Sequence, residues 1–199
     1  NRHVVFRQGD GNHKNHDWAF GFTTAGVVMQ AELLLVSRNK QDINHYLPLL
    51  ENSVEFIQTR YDPNTSCFLV GAAANLLAPS YAGCKQKDGT FSKAYLAEIS
   101  VNYIAALDRV IELEKMAGNK EKVSQYSEYR NNARAGLKNL ITDEGYFIKS
   151  LDPDGTKHGV YGAARHGYFE SSVNHDAICF RVVDDLQAKK IYTKIDSIL

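Results

Sequence analysis

Apolar residues recur along this chain in two alternating styles. Some stretches are apolar on nearly every side, and each is followed by one that is apolar on a single side. Residues 24–37 are of the first kind: Ala25, Val27, Val28, Met29, Ala31, Leu33, Leu34, Leu35 and Val36 leave Gln30 and Glu32 as the few polar members. A helix that is apolar all round has to be buried on most sides. Residues 42–60 are of the second kind. Ile43, Leu47, Leu50, Val54 and Ile57 recur at spacings of three and four, the signature of an amphipathic helix. Asp42 is placed to cap that helix and Pro48 to bend it early.

The alternation repeats. A turn at Tyr61-Asp62-Pro63-Asn64 leads into a short strand at 67–70. A long loop follows at 71–91, and loops of that length inside a domain are often functional. Residues 92–116 form a second all-round apolar helix, with Ser92 as its expected cap and Gly118-Asn119 as its stop signal. Residues 120–141 form its amphipathic partner, with Val123, Tyr126, Tyr129, Ala133, Leu137 and Leu140 on one face. After a turn at 142–145, residues 146–148 read as a strand and Asp152-Pro153-Asp154-Gly155 as a hairpin turn. A third apolar helix starts at Asn174 or His175 and runs to Val183 or a little beyond. Residues 189–199 begin its outer partner.

The unit is thus an inner helix, an outer helix, an acidic turn, a short strand and a long loop. It is about eighty residues long, beyond the common short helical repeats. Every long loop precedes an inner helix, so the loops should gather at one end. That makes one candidate site from residues 9–23, 71–92 and 157–176.

Composition changes this picture little. The 199 residues suffice for one domain with a substantial core. The formal net charge is zero, which points to neither a nucleic-acid nor a membrane partner. No apolar run approaches the ~20 residues of a membrane span. The chain begins at Asn1 in mid-pattern and ends within a helical pattern, so it reads as a piece of a longer chain. Cys67, Cys84 and Cys179 fit no metal-binding spacing. One disulfide, such as Cys67–Cys84, and three free thiols both remain open.

The richest stretch is residues 166–176, His-Gly-Tyr-Phe-Glu-Ser-Ser-Val-Asn-His-Asp. Aromatic faces stack on sugar rings, while acids and amides bind hydroxyls or move protons. Glu170, flanked by aromatics, is the first candidate for a proton donor, because such surroundings raise a carboxyl pKa. Asp176 sits at the expected first turn of an inner helix, where an acid commonly serves as a cap. Asp17 beside Trp18 can bind hydroxyls with the indole as a stacking wall, or Trp18 and Phe20 can be core anchors. Asp10 is a further acid of this end. Glu98 and Asn102, one turn apart, either face the interior of the fold or satisfy buried groups. Tyr81, Tyr161, Tyr168 and Phe169 are stacking platforms or loop packing. His13, His16, His166 and His175 show no metal-binding spacing, and no metal or cofactor is expected.

With these residues in view, the chain resembles the six-hairpin glycosidases, as seen in α-L-rhamnosidase-like and trehalase-like enzymes. The resemblance rests on Asp17-Trp18, on Tyr61-Asp62-Pro63-Asn64-Thr65 with Phe68, and on Tyr95, Ala105-Ala106-Leu107, Ala117-Gly118-Asn119, Tyr126 and Ala133. It covers nearly the whole chain, and no diagnostic catalytic motif accompanies it. It implies an all-α (α/α)6 toroid, here partial with about three helical hairpins, and short β-hairpins in the long loops. The implied reaction is hydrolysis of a glycosidic bond by two carboxyl groups, set roughly 6.5–9.5 Å apart in inverting enzymes. Glu170, Asp17 and Asp176 are the candidate acids, and Trp18, Tyr81, Tyr168, His166, Asn174 and His175 the binding residues. An oligosaccharide or glycoside is the expected partner, missing chain the rest of the barrel, and the periplasm or exterior the expected location. Two alternatives stand beside it. One is an (α/α)6 sugar epimerase using histidine bases, and the other a helical-repeat module that binds protein.

Overall fold

The computed structural model describes residues 19–71, 93–164 and 167–199. Within them, α1 (Ala19–Ser37) pairs with α2 (Lys40–Gln58), α3 (Ala97–Ala117) with α4 (Lys120–Gly136), and α5 (Ser171–Cys179) is followed by α6 (Asp185–Ile198). Five short strands connect the pairs: β1 (Tyr61–Asp62), β2 (Cys67–Gly71), β3 (Lys93–Leu96), β4 (Ser150–Leu151) and β5 (Lys157–His158). They form one antiparallel sheet in chain order. The fold is therefore mostly helical, a partial (α/α) toroid with β-hairpins in its loops.

Several element boundaries differ from the sequence reading, each for a tertiary reason. The first helix begins at Ala19 rather than Thr24. Phe20 is buried, stacks on Phe56 with ring centroids 4.4 Å apart and lies under the Arg60 guanidinium at 5.0 Å. That ties the start of α1 to the end of α2. The α2 cap is Asn39, whose Oδ1 accepts from Gln41 N at 2.9 Å, and not Asp42. Residues 93–96 are strand rather than helix, because β3 is held between β2 and β4. Tyr95 then donates its hydroxyl to Asp62 Oδ2 at 2.5 Å, across the sheet. The α4 pattern ends at Gly136 and tightens into a 3₁₀ turn, Leu137–Leu140. The strand expected at 146–148 is a single bridge, Ile141 to Phe147, and the regular strand lies later at β4.

Side-chain anchors fix the direction of the inner helices. Arg109 of α3 pairs with Glu32 of α1 at 2.7 Å and lies over the Phe180 ring, just past α5, at 5.1 Å. Earlier on α3, the Asn102 amide lies beside Asp176 of α5 and lowers its pKa. The order 102 to 109 on α3 matches 176 to 180 on the third pair, so α3 and α5 run parallel. Tyr103 donates to Gln58 at 2.8 Å, at the far end of α2. Hence α2 runs against α3, and α1, which runs against α2, is parallel to α3. The starts of the three inner helices therefore share one end.

The core is the space among these helices, with Tyr103, Ile104, Leu107, Tyr126, Tyr146 and Phe147 fully buried. One edge of α1 remains uncovered: Met29, Leu33 and Val36, on one helical stripe, are 70%, 64% and 83% exposed. By length and composition Phe20–Ser37 could cross a membrane. Its other face, Val27, Val28, Ala31 and Leu34, is packed in the core, and its Glu32 is tied to α3. Cys67 is a free, buried thiol, not half of a disulfide. Burial pushes it up to about 11, which keeps it protonated and inert.

Candidate functional site

The described part of the site is the start of α5 and the segment leading into it. The helix begins at Ser171, three or four residues before the expected start, and Glu170 occupies its N-cap position. Asp176 thus lies in the second turn and is not a cap. What holds the start in place is Asn174. Its Oδ1 accepts from Phe147 N at 2.8 Å, and its Nδ2 donates to Phe147 O at 2.9 Å and to Glu170 O at 2.7 Å. The side chain is fully buried. Every polar atom expected to bind sugar at this position is therefore engaged with backbone. This also explains the missing strand at 146–148, since a side-chain amide replaces a neighbouring strand as Phe147's partner.

The Glu170 carboxylate is held at both oxygens. Oε1 accepts from Ser172 Oγ at 2.6 Å, and Oε2 pairs with Lys149 Nζ at 3.0 Å. The Lys149 side chain is 2% exposed. Its backbone is pinned on both sides, with N donating to His158 O at 2.8 Å and O accepting from Ala97 N at 3.1 Å. His158 is itself braced by Asp152 at 2.7 Å. A chain of contacts thus runs from the β4–β5 hairpin through Lys149 to Glu170. The expected setting of Glu170, a carboxyl surrounded by aromatics, is not what the fold builds. Phe169 packs on Tyr146 at 5.4 Å between centroids, and a buried ammonium faces the carboxylate.

Asp176 has the opposite surroundings. It is half-buried against α3, and burial raises its pKa, with the Asn102 amide and the charge on His175 pulling the other way. Asn102 is almost fully buried, and its Oδ1 has no hydrogen-bond partner among the described residues. An unpaired buried acceptor costs roughly 1–3 kcal/mol, so its presence beside a perturbed carboxyl calls for a reason. His175 is exposed and bonds Ser171 O through Nδ1 at 2.7 Å. Tyr168 is partly buried. Tyr161 is exposed, carries Lys194 Nζ over its ring at 4.9 Å and donates its backbone N to the Tyr146 hydroxyl at 2.9 Å.

The structure therefore brings Glu170, Asp176, Tyr168, Asn174 and His175 to one helix start, next to Asn102. Asp10, His13, His16, Asp17, Trp18, Tyr81 and His166 lie outside the described residues. Lys149 was not singled out from the sequence, although one lysine within Tyr146-Phe147-Ile148-Lys149-Ser150-Leu151 is a visible interruption of an apolar run. Among the described residues no three His, Cys, Asp or Glu side chains are grouped to hold a metal ion.

The partial (α/α) toroid has a remote likeness of fold to the six-hairpin glycosidases. Among solved structures, the chain superposes on a GH78 family rhamnosidase of Bacillus sp. GL1 with a TM-score of 0.68 and 15% sequence identity, over 87% of this chain. At that identity the likeness is one of fold. The chain spans 17% of the length of that rhamnosidase. No family model matches the sequence, and no curated protein matches it.

Proposed function

We propose that the protein is a carbohydrate-active enzyme that hydrolyses an O-glycosidic bond, with Asp176 as general acid and Glu170 as the anionic carboxylate. The observation that carries this reading is the contrast between two carboxyl groups at one inner-helix start. Burial against α3 raises the Asp176 pKa, while a buried lysine faces Glu170. Two titratable groups in opposed environments are the usual basis of acid and base assignment. Acid catalysis at the leaving oxygen needs the protonated group, and activation of water needs the anion. The likeness of fold to a rhamnosidase supports the reaction class, and a neutral pyranoside is the first substrate to try.

The uncovered stripe Met29, Leu33 and Val36 fits the same reading. In a closed toroid that edge of α1 would pack against a neighbouring hairpin, and we assign it that role. Asp17, Trp18, Tyr81, Tyr168, His166 and His175 stay as proposed contributors to the reaction or to substrate binding.

The test is release of 4-nitrophenol from a panel of 4-nitrophenyl glycosides by the full-length protein, beginning with the α-L-rhamnopyranoside. Glu170→Gln should lower turnover by about 10²–10⁴-fold with folding intact. Turnover near that of the unaltered protein would remove Glu170 from the mechanism.

A further inference from the structure

We infer that Lys149 is a positioning residue that fixes Glu170 as the base of the reaction, a role resting on the hydrolase reading above. The geometry leaves Lys149 little else to do. Its side chain is 2% exposed, and among the described residues its ammonium pairs with Glu170 Oε2 at 3.0 Å. A lysine removed from water in this way is costly unless paired and well bonded. The fold nevertheless places it with care. His158 O and Ala97 N hold its backbone from two sides. Gly159, in the left-handed region at φ +85°, passes so close that a Cβ there would meet Lys149 N at 2.7 Å. An apolar residue would fill the space between β4 and the start of α5 at lower electrostatic cost.

The consequence concerns the direction of proton transfer. Glu170 accepts from Ser172 at one oxygen and faces an ammonium at the other. To act as an acid it would have to carry a proton beside that buried cation. To act as a base it takes one proton from water as water's oxygen forms its bond to the anomeric carbon. The C–O bond to the leaving group breaks, and that oxygen receives the proton of the acid. The cation then fixes the orientation of the carboxylate without itself touching the sugar.

Two measurements test this. First, the Lys149 ammonium should give a slowly exchanging ¹H–¹⁵N signal, assigned by its loss in Lys149→Arg, and Glu170→Gln should shift or abolish it. No such signal, or one indifferent to Glu170→Gln, overturns the ion pair whether or not the protein hydrolyses anything. Second, on the best glycoside of the panel, Lys149→Met should lower kcat by about 100-fold or more with KM little changed. Lys149→Arg should recover most of that loss. Equal activity of Lys149→Met and the unaltered protein, or an equal loss in Lys149→Arg and Lys149→Met, overturns the role. Should Lys149→Met fail to fold, the pair Lys149→Met with Glu170→Gln removes both charges and should fold. If the unaltered protein cleaves no glycoside, the hydrolase reading falls and the base assignment falls with it, while the ammonium signal still decides the pair.

Discussion

Asn174 holds both main-chain polar atoms of Phe147, accepting from its N at 2.8 Å and donating to its O at 2.9 Å. A side chain 27 residues away in sequence thus does for Phe147 what a strand would otherwise do. Because Asn174 Nδ2 also reaches Glu170 O, the same amide sets where α5 begins.

Asn174→Ala should therefore act on stability. It leaves the Phe147 N–H and C=O buried and unpaired, at a cost of about 2–4 kcal/mol. For a chain of this size that lowers Tm by roughly 5–15 °C. Thermal unfolding checks it. An unchanged Tm with a raised KM for glycosides would instead make Asn174 a sugar ligand.

Asp176→Asn removes the proposed proton donor and keeps the shape. With a 4-nitrophenyl or alkyl glycoside, kcat/KM should fall by about 10²–10⁴-fold, the more steeply the poorer the leaving group. A glycosyl fluoride needs no proton at its leaving atom and should still be cleaved. The sign with pH follows from burial, which raises Asp176. The acid stays protonated to higher pH than an exposed aspartate, so the alkaline limb of the rate profile should move upward. Equal losses on fluoride and alkyl glycosides would argue against the acid role.

A second carboxyl has consequences for stability alone. Glu114 is fully buried between α2 and α4, with Oε2 accepting from Asn119 Nδ2 at 2.8 Å. Burial, then a bond to the Glu51 carboxyl, pushes Glu114 up to about 7; Asn119 and Lys122 act the other way. Two carboxyl groups can bond each other only if one carries a proton. Glu55, Tyr103, Tyr126 and Tyr129 complete the charged and titratable surroundings. A raised folded pKa means the contribution is fully present below the unfolded value near 4.5 and is lost as pH rises through about 7. Compared with Glu114→Gln, the unaltered protein should lose Tm between pH 5 and pH 8, as urea or heat unfolding at each pH would show. Parallel pH profiles for the two would contradict the shared proton.

Gly136 ends α4 where the chain passes closest to the β1–β2 turn. A Cβ there would run into the backbone carbonyl of Ser66, and then meet Cys67 Sγ at 3.1 Å. Backbone cannot swing aside as a flexible side chain can. Gly136→Ala should thus destabilise by about 2–4 kcal/mol, despite the better helix propensity of alanine. A gain in Tm would show that the turn moves freely.

Periodicity alone determined the helical class, the alternation of inner and outer helices and the left-handed stop at Gly118, because burial of an apolar stripe and glycine's freedom at positive φ are local properties that the residues carry themselves. The run of aromatic, acidic and amide residues pointed to residues 166–176, where Glu170 and Asp176 stand. What the residues could not decide locally was which polar groups would meet. The helix pattern of 92–116 gave way to β3 because strands on both sides outcompete a local preference. Asn174 looked like a sugar ligand until the fold delivered Phe147 to it, and Asp176 looked like a cap until α5 began at Ser171. Lys149 and Glu170 are 21 residues apart, with no spacing that marks them as partners. Their ion pair, and the opposite surroundings of the two carboxyls, exist only because the β4–β5 hairpin and α3 are brought against the start of α5. Electrostatics depends on distance in space and on exclusion of water, and neither is a property of the sequence taken one segment at a time.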